Sequence, residues 1–531
     1  MVANNITPDN LNWNIVTSKR YYKLFEEAFP LYAGFAGLST ITGSSSVSGG
    51  VLNITPNTIL KANAPLVTSF FCAVLKVRSF DSIVGVSMVK DAANLIKVQY
   101  DKINNLASIY ENGTLLKSIT PTAAFNSSNL TLYLTMVGNS IGFFAQENGA
   151  TDFKVIAVVN STNDYMLASV QPGYSYGITS TGNAVISSFN AYVSGSAGIF
   201  NLRQVRNEDN SPYLYNGKLL FTADATFFSA KGHFSYEEAN NGFFSYDMAT
   251  GNIECVGRIF FKRTDARNTN VRIYGGQDMH CTYISATNNF RVSWVPCENG
   301  FNSLDKSVFL TYAEITSQSV ITEDRYIPLD VSHLSDHLFY DWNMFEMDGI
   351  CYGLALDVGV PPGGNWVTPV PVLFSGPSHT NYTSMVHYTY DDIYWESITR
   401  TKVGNTFYCV GSTWNAYANG TFDGMMTHRL DNGNGRLKLP YTPNLPGSEP
   451  HISSIDLVSV FDGQYTSYYC LCFLLDELFI TDVTGATINF PWTLGTTQVF
   501  KASFQNKGNE YDNVKPQGND FFQALLKIIL N

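Results

Sequence analysis

Apolar and polar residues alternate with a period of two along most of this chain, and short polar turns interrupt the alternation every few residues. Strands are predicted wherever that pattern holds, as in Phe70 to Val77, Ile83 to Val89, Leu95 to Tyr100, Ala107 to Tyr110, Leu130 to Val137 and Phe153 to Val159. Glu111-Asn112-Gly113-Thr114 and Val137-Gly138-Asn139-Ser140 mark two hairpins, because Asn-Gly and Gly-Asn supply the positive φ angles of tight β-turns. A helix is expected at Lys19 to Phe29, with Ser18 as its N-cap and Pro30 as its stop. A second short helix is expected at Phe521 to Leu530.

In the last 330 or so residues one phrase recurs: an apolar residue, a tight Asp/Asn/Gly turn, then aromatic and β-branched residues. The turns are Tyr215-Asn216-Gly217, Asn288-Asn289, Met347-Asp348-Gly349, Val403-Gly404-Asn405 and Phe461-Asp462-Gly463. They lie about 55 to 72 residues apart, the spacing of blades or stacked repeats. Five such hairpins predict a five-bladed β-propeller, whose loops gather at one axial pocket. The whole chain is therefore expected to be all-β, with short helices at both ends. Residues 1–42 form a helical attachment segment, 43–194 a jelly-roll sandwich, 199–504 the propeller and 505–531 a tail. Ser194-Gly195-Ser196-Ala197-Gly198 serves as the linker.

The 531 residues include 14% aromatic and only 14% charged side chains, which suits aromatic-rich sheets better than a helical enzyme. A net charge of −12 without clustered Lys or Arg argues against nucleic acid. No run of 18 apolar residues predicts a membrane span, and Met1 to Thr7 has no basic, apolar leader, so synthesis without a secretion signal is expected. The eight cysteines interrupt apolar strand patterns and are expected to be buried thiols. Cys470-x-Cys472 lacks metal-ligand spacing. No P-loop, Gly-x-Ser-x-Gly elbow or His-Glu-x-x-His helix occurs.

Ile96 to Tyr100, Leu106 to Gly113, Tyr174 to Ile178 and Val185 to Val193 resemble the middle and closing strands of concanavalin-like jelly rolls. The second half resembles five-bladed propeller glycosidases of the arabinanase and invertase kind. Three stretches carry that likeness: Asn201 to Asp209, Tyr340-Asp341-Trp342-Asn343-Met344-Phe345, and Trp395-Glu396-Ser397-Ile398-Thr399-Arg400. Glycoside cleavage needs two carboxyl groups across the sugar, one protonated and one ionised. The resemblance makes Asp341 an inward carboxylate, exposed to solvent at the hub, with Tyr340 and Trp342 stacking on a sugar ring. It puts Gln204 where the first blade usually has an acid, and glutamine is neither base nor nucleophile. Glu396 lies three residues before the expected fourth-blade acid.

Asp278 and His280, and Glu449 and His451, stand at two further strand entries. The catalytic candidates, if the protein is an enzyme, are Asp341, Asp278 and Glu396. The ligand-binding candidates are Arg203, Gln204, Arg206, His280, Tyr340, Trp342, Arg400 and His451. Trp414 and Tyr417 are further aromatic candidates, whereas Trp294 ends an apolar strand and reads as core. No cofactor and no metal-ligand set is read, although calcium is held centrally in some propellers of this kind. The order of helix, jelly roll, propeller and helix resembles modular phage tail-fibre and receptor-binding proteins. That likeness implies a virion tail protein with a cell-surface glycan, other virion proteins and copies of itself as partners. Recognition of the glycan is expected, with an active glycoside hydrolase as the alternative.

Overall fold

The computed structural model describes residues 13–503 apart from internal stretches, the longest being 231–237, 296–307, 415–421 and 440–450. The described residues form β-strands and turns in mainly antiparallel sheets, with no helix among them. The predicted N-terminal helix is replaced by two strands, Trp13–Arg20 and Phe25–Ala33. Tyr21, Leu24 and Phe29 of that stretch enter one apolar core, with Tyr22 and Phe25 packed against it. The predicted helix at Phe521 to Leu530 lies outside the described residues.

The first domain is a two-sheet sandwich. One sheet runs in the order Thr114–Ile119, Leu106–Glu111, Leu95–Asp101, Ile83–Val89, Ser175–Ser180, Thr58–Ala62 and Leu38–Thr42. The other runs Lys154–Asn160, Ser140–Gln146, Leu130–Val137, Phe70–Phe80, Ala184–Ser194, Val51–Ile54 and Ser45–Ser48, with Phe25–Ala33 pairing onto Ala184–Ser194. Both predicted hairpins are present, and positive φ occurs at Asn112, Gly113 and Gly138 as their turns require.

Phe70–Phe80 shows why some strands read as unbroken apolar runs. Phe71, Ala73 and Leu75 face the sandwich interior, while the alternate residues Phe70, Cys72 and Val74 join a second core. A strand buried on both faces has no solvent side to keep polar.

The chain then enters five sheets in succession. Their leading strands are Gly198–Gln204, Gln277–Ile284, Leu338–Met347, Tyr394–Val403 and His451–Phe461. Each leading strand contacts the next, and the fifth contacts the first, so the contacts close into a cycle. The recurring sequence turns fall in front of the second long strand of each sheet, with Tyr215 paired to Lys218, Met347 to Ile350, Val403 to Thr406 and Phe461 to Thr466. Trp13–Arg20 pairs antiparallel with Thr487–Ser503, so an N-terminal strand completes the sheet made by the C-terminal ones.

The two domains share one apolar core. Phe70, Val74, Tyr133 and Phe144 of the sandwich pack with Phe221, Phe244 and Phe260 of the first of the five later sheets. Phe70 and Phe260 stack with centroids 5.1 Å apart. Within this interface the buried pair Glu26 and Arg258 meet at 3.0 Å, Tyr21 donates to Glu26 at 2.9 Å, and Arg258 donates to Asn240 at 2.8 Å. The expected linker is accordingly a packed junction, since Gly195 N–H donates to Leu24 C=O at 2.8 Å and a Cβ there would strike Lys23. Removing one member of a buried ion pair strands the other's charge. Glu26→Ala is therefore expected to destabilise the protein by about 3 to 5 kcal/mol. Urea denaturation followed by intrinsic fluorescence measures this, with the first sheet and the sandwich lost together.

Candidate functional site: a buried ionic hub

Each of the five leading strands carries a register irregularity near its start. The slips fall between Phe200 and Arg203, Gln277 and His280, Tyr340 and Asn343, Trp395 and Ser397, and Ile452 and Ser454. In the first three, the bulged stretch holds Asn201, Asp278 and Asp341, at φ of 51°, 50° and 59°. Asn and Asp are the side chains other than glycine that best tolerate this left-handed region. The backbone thus supplies one reason for acids at these positions, independent of chemistry.

The residues two places beyond each bulge converge. Arg203 Nη2 lies 2.7 Å from Asp341 Oδ1, and His280 Nε2 lies 2.9 Å from the same oxygen. Arg203 Nε also lies 3.2 Å from His280 Nε2, so Arg203, His280 and Asp341 form one compact hydrogen-bonded cluster. Ile398 N–H donates to Asp341 Oδ2. One carboxylate thereby joins four sheets: the first through Arg203, the second through His280, its own, and the fourth through Ile398. Asp341 is 0% exposed. The expectation of a solvent-facing Asp341 is corrected: its oxygens are turned inward because three donors from neighbouring sheets surround it.

A second layer extends the hub. Arg206, which pairs beside Thr282 of the second sheet, meets Asp456 at 2.5 Å, and Gln204 N–H of the first sheet donates to Asp456 Oδ2 at 2.7 Å, joining the fifth sheet to both. Arg400 donates from Nε to Asn210 at 2.9 Å and from Nη2 to Thr282 at 3.2 Å, and its Nη1 reaches Asn343 and the Met344 carbonyl. Arg203, Arg206 and Arg400, read as ligand-binding from sequence, all spend donors on bracing neighbouring sheets. Gln204 is likewise turned into its own sheet, donating to the Leu220 and Val205 carbonyls at 2.8 and 2.9 Å.

Two further acids lie beside Asp341: Asp278, a candidate from the sequence, and Asp224. Asp224, from Lys218–Thr226, accepts from Asn201 Nδ2 at 2.8 Å and from Asp278 N–H at 3.0 Å. Burial pushes the Asp224 carboxyl up to about 7, with Asp341 adding to the rise. Burial, reinforced by the charges of Asp341 and Asp224, raises Asp278 well above the usual carboxylate range. Burial alone would also raise Asp341, but Arg203 and the His280 contact outweigh it and hold Asp341 below that range. Burial lowers His280 to about 4, so its ring is neutral near pH 7. Burial and repulsion from Arg206 bring Arg400 down to about 9. Around the ionised Asp341, and beside the Arg206-paired Asp456, the hub thus holds two acids driven towards protonation.

Trp342 is 0% exposed and packs edge-on to Tyr382 and against Phe374 in the third sheet's core. It is corrected from sugar platform to core residue: the bulge at Asp341 turns the two neighbours to opposite sides. Trp294 is core, stacked on Phe261 with centroids 3.6 Å apart. Cys72, Cys255, Cys281, Cys351 and Cys409 are buried free thiols. The side chains of Tyr340, Glu396, His451 and Trp414, together with all of Glu449 and Tyr417, lie outside the described residues. Asp224 and Asp456 were missed from sequence. Their signal was a lone acid inside a neutral, largely apolar strand, Leu-Leu-Phe-Thr-Ala-Asp-Ala and Ile-Asp-Leu-Val.

No family model and no curated protein matches the chain. Among solved structures, an N-acetylgalactosamine deacetylase from F. plautii in complex with blood group B trisaccharide is similar over 58% of this chain and 90% of its own, at 10% identity and TM-score 0.41. Bacillus subtilis levansucrase is similar over 59% of this chain and 88% of its own, at 11% identity and TM-score 0.37. The carbohydrate-binding module CBM66 from Bacillus subtilis is similar over 30% of this chain and 93% of its own, at 12% identity and TM-score 0.23. At these TM-scores the likenesses carry no argument about activity.

Two outcomes follow from the hub's charges. Asp341→Asn leaves Arg203 buried without its carboxylate and is expected to destabilise the fold by about 3 to 5 kcal/mol, measured by urea denaturation at pH 7. Asp224 has a folded pKa above its unfolded value of about 3.9, so it becomes an increasing penalty as pH rises from there towards 7. His280 has the opposite slope, losing its contribution as pH falls from about 6.5 towards 4. Asp224→Asn removes only the first effect. Its unfolding midpoint relative to wild type is expected to climb between pH 4 and 7 and level off above; a flat difference would show that Asp224 ionises normally.

Proposed function

We propose that the protein recognises a cell-surface glycan through a five-bladed β-propeller carried on a concanavalin-like sandwich, and does not cut it. The observation that carries this reading is the state of Asp341. The carboxylate that the glycosidase resemblance assigns to chemistry is sealed from solvent and occupied by Arg203, His280 and the Ile398 amide. A group so placed cannot take a proton from water or attack a sugar without breaking the hub. Gln204 replaces the first-blade acid, and its amide is committed to main-chain carbonyls. The closed cycle of leading strands, with Trp13–Arg20 completing the last sheet, supports the five-bladed reading.

The same proposal includes a place in a phage tail, as a receptor-binding protein assembled with copies of itself and other tail proteins. Its support is the order of sandwich before propeller together with the architectural resemblance. Mass spectrometry of purified virions tests the location.

One observation favours the alternative of glycoside hydrolysis. Asp224 and Asp278 are held towards the protonated form beside an ionised Asp341, and groups pushed apart in this way mark acid and base roles in hydrolases. Asp278, at 8% exposed, is the acid of these three with any opening. A glycan array with wild type and Asp278→Asn, alongside assay of released reducing ends, separates the readings. Expected are a bound glycan, at least a tenfold weaker signal for Asp278→Asn, and no released sugar. Reducing ends that appear with wild type and vanish in Asp278→Asn would establish the hydrolase. Binding indifferent to Asp278→Asn would remove the axis as the site.

A further inference from the structure

Away from the hub, the third of the five sheets gathers two imidazoles and a carboxylate. His337 immediately precedes the leading strand Leu338–Met347, Asp357 lies near the end of Ile350–Gly359, and His387 ends Ser384–His387. Asp357 Oδ2 is 2.8 Å from His337 Nδ1 and 2.6 Å from His387 Nε2. The three donor atoms all lie within 4.8 Å of one another. Asp357 is 2% exposed, whereas the rings are 32% and 33% exposed, so a buried anchor faces two half-open imidazoles.

We infer that His337, Asp357 and His387 form a binding site for a borderline divalent transition-metal ion, zinc in the first place. Two nitrogens and one oxygen are the donor set such ions prefer over calcium or magnesium, which favour oxygen alone. A tetrahedral zinc about 2.0 to 2.1 Å from each donor needs the donors roughly 3.3 Å apart. The present spacings of 2.6 and 2.8 Å to Oδ2 require the rings to draw back by about half an ångström, which partly exposed side chains at strand ends can do. Both rings reach Oδ2, with His337 Nδ1 also 2.9 Å from Oδ1, and Oδ1 accepts from the Gly359 amide at 2.8 Å. That amide fixes the carboxylate as an outer-shell partner does at metal centres.

Charge distinguishes this cluster from a second one. Glu346, Cys351 and His379 also approach one another, but Arg291 lies 3.1 Å from Glu346 and already supplies a cation there. Among the described residues no Lys or Arg pairs with Asp357, so its negative charge remains for an ion. Binding displaces the proton between each ring and the carboxylate, and the exposed side of the site leaves coordination positions for water. The ion would tie the segment entering Leu338–Met347, four residues before Asp341, to the second and fourth strands of its sheet.

The test uses the full chain, stripped with EDTA, dialysed and titrated with Zn²⁺ or Co²⁺. One equivalent of Zn²⁺ is expected to bind and to raise the melting temperature. Co²⁺ should give visible ligand-field bands, and X-ray absorption of the zinc form should show two imidazole ligands. His337→Ala and His387→Ala, each checked for wild-type melting without metal, should each weaken Zn²⁺ binding at least tenfold and abolish the thermal shift. Absence of a bound equivalent, a zinc shell of sulfur, or affinity unchanged in both histidine variants would overturn the assignment. None of these readouts involves a glycan, so failure here leaves the glycan reading standing, and the reverse.

Discussion

A negative charge buried among five sheets has to be matched, and the leading strand Leu338–Met347 that carries Asp341 is fixed by how that matching is done. Taking a carboxylate out of water costs several kcal/mol, which neighbouring donors must offset. Arg203, His280 and the Ile398 amide come from three other sheets, so none of them reaches Asp341 unless the leading strands have already assembled. The ion pair therefore specifies which strands stand next to which. Asp456 does the same from the last sheet, reaching the first through the Gln204 amide and the second through Arg206, and Arg400 spans to the loop residue Asn210, to Thr282 and to Asn343. Apolar contacts between sheets have no comparable directionality; these polar links set the register of the cycle.

The same hub explains the spread of acid strengths within it. Asp224, Asp278 and Asp341 share a low-dielectric space in which three negative charges would repel strongly. Arg203, Arg206 and Arg400 with a neutral imidazole cannot neutralise all of them and still satisfy Asp456. The charge settles on Asp341, which has the direct guanidinium contact, and the other two carboxyls are driven towards protonation.

The sandwich is not an appendage. The strand Phe70–Phe80 serves two cores at once, and Glu26 and Arg258 meet inside the seam between the domains. Trp13–Arg20, lying before the sandwich in sequence, finishes a sheet made at the far end of the chain. Both connections join residues hundreds of positions apart, so loss of either domain exposes apolar surface on the other.

The local signals in the sequence are those governed by nearest neighbours. Asn112-Gly113, Asn216-Gly217 and Gly349 needed positive φ, and the structure has it. The strands around Ile83–Val89 and Leu130–Val137 followed from alternation and apolar runs, and the repeated turn phrase marked five successive sheets. Residues Lys19 to Phe29 misled because their apolar spacing fits a helix as well as two strands, and only the distant partner strands Thr487–Ser503 and Ala184–Ser194 choose between them. Asp341, Asp278, Arg203 and His280 were legible as candidates from residue type and position. Their joint burial was not, since a solvent-facing acid and an ion-paired acid look alike in one dimension. The contacts of Asp224, of Asp456 and within the His337, Asp357 and His387 cluster were not legible for the same reason: the partners lie 20 to more than 200 residues away. What the sequence by itself determined is where the chain turns and which stretches are strands. Which charges meet, which are hidden and which stay open was decided only when the sheets closed on one another, because electrostatic energy depends on distance through space and on the dielectric that folding creates.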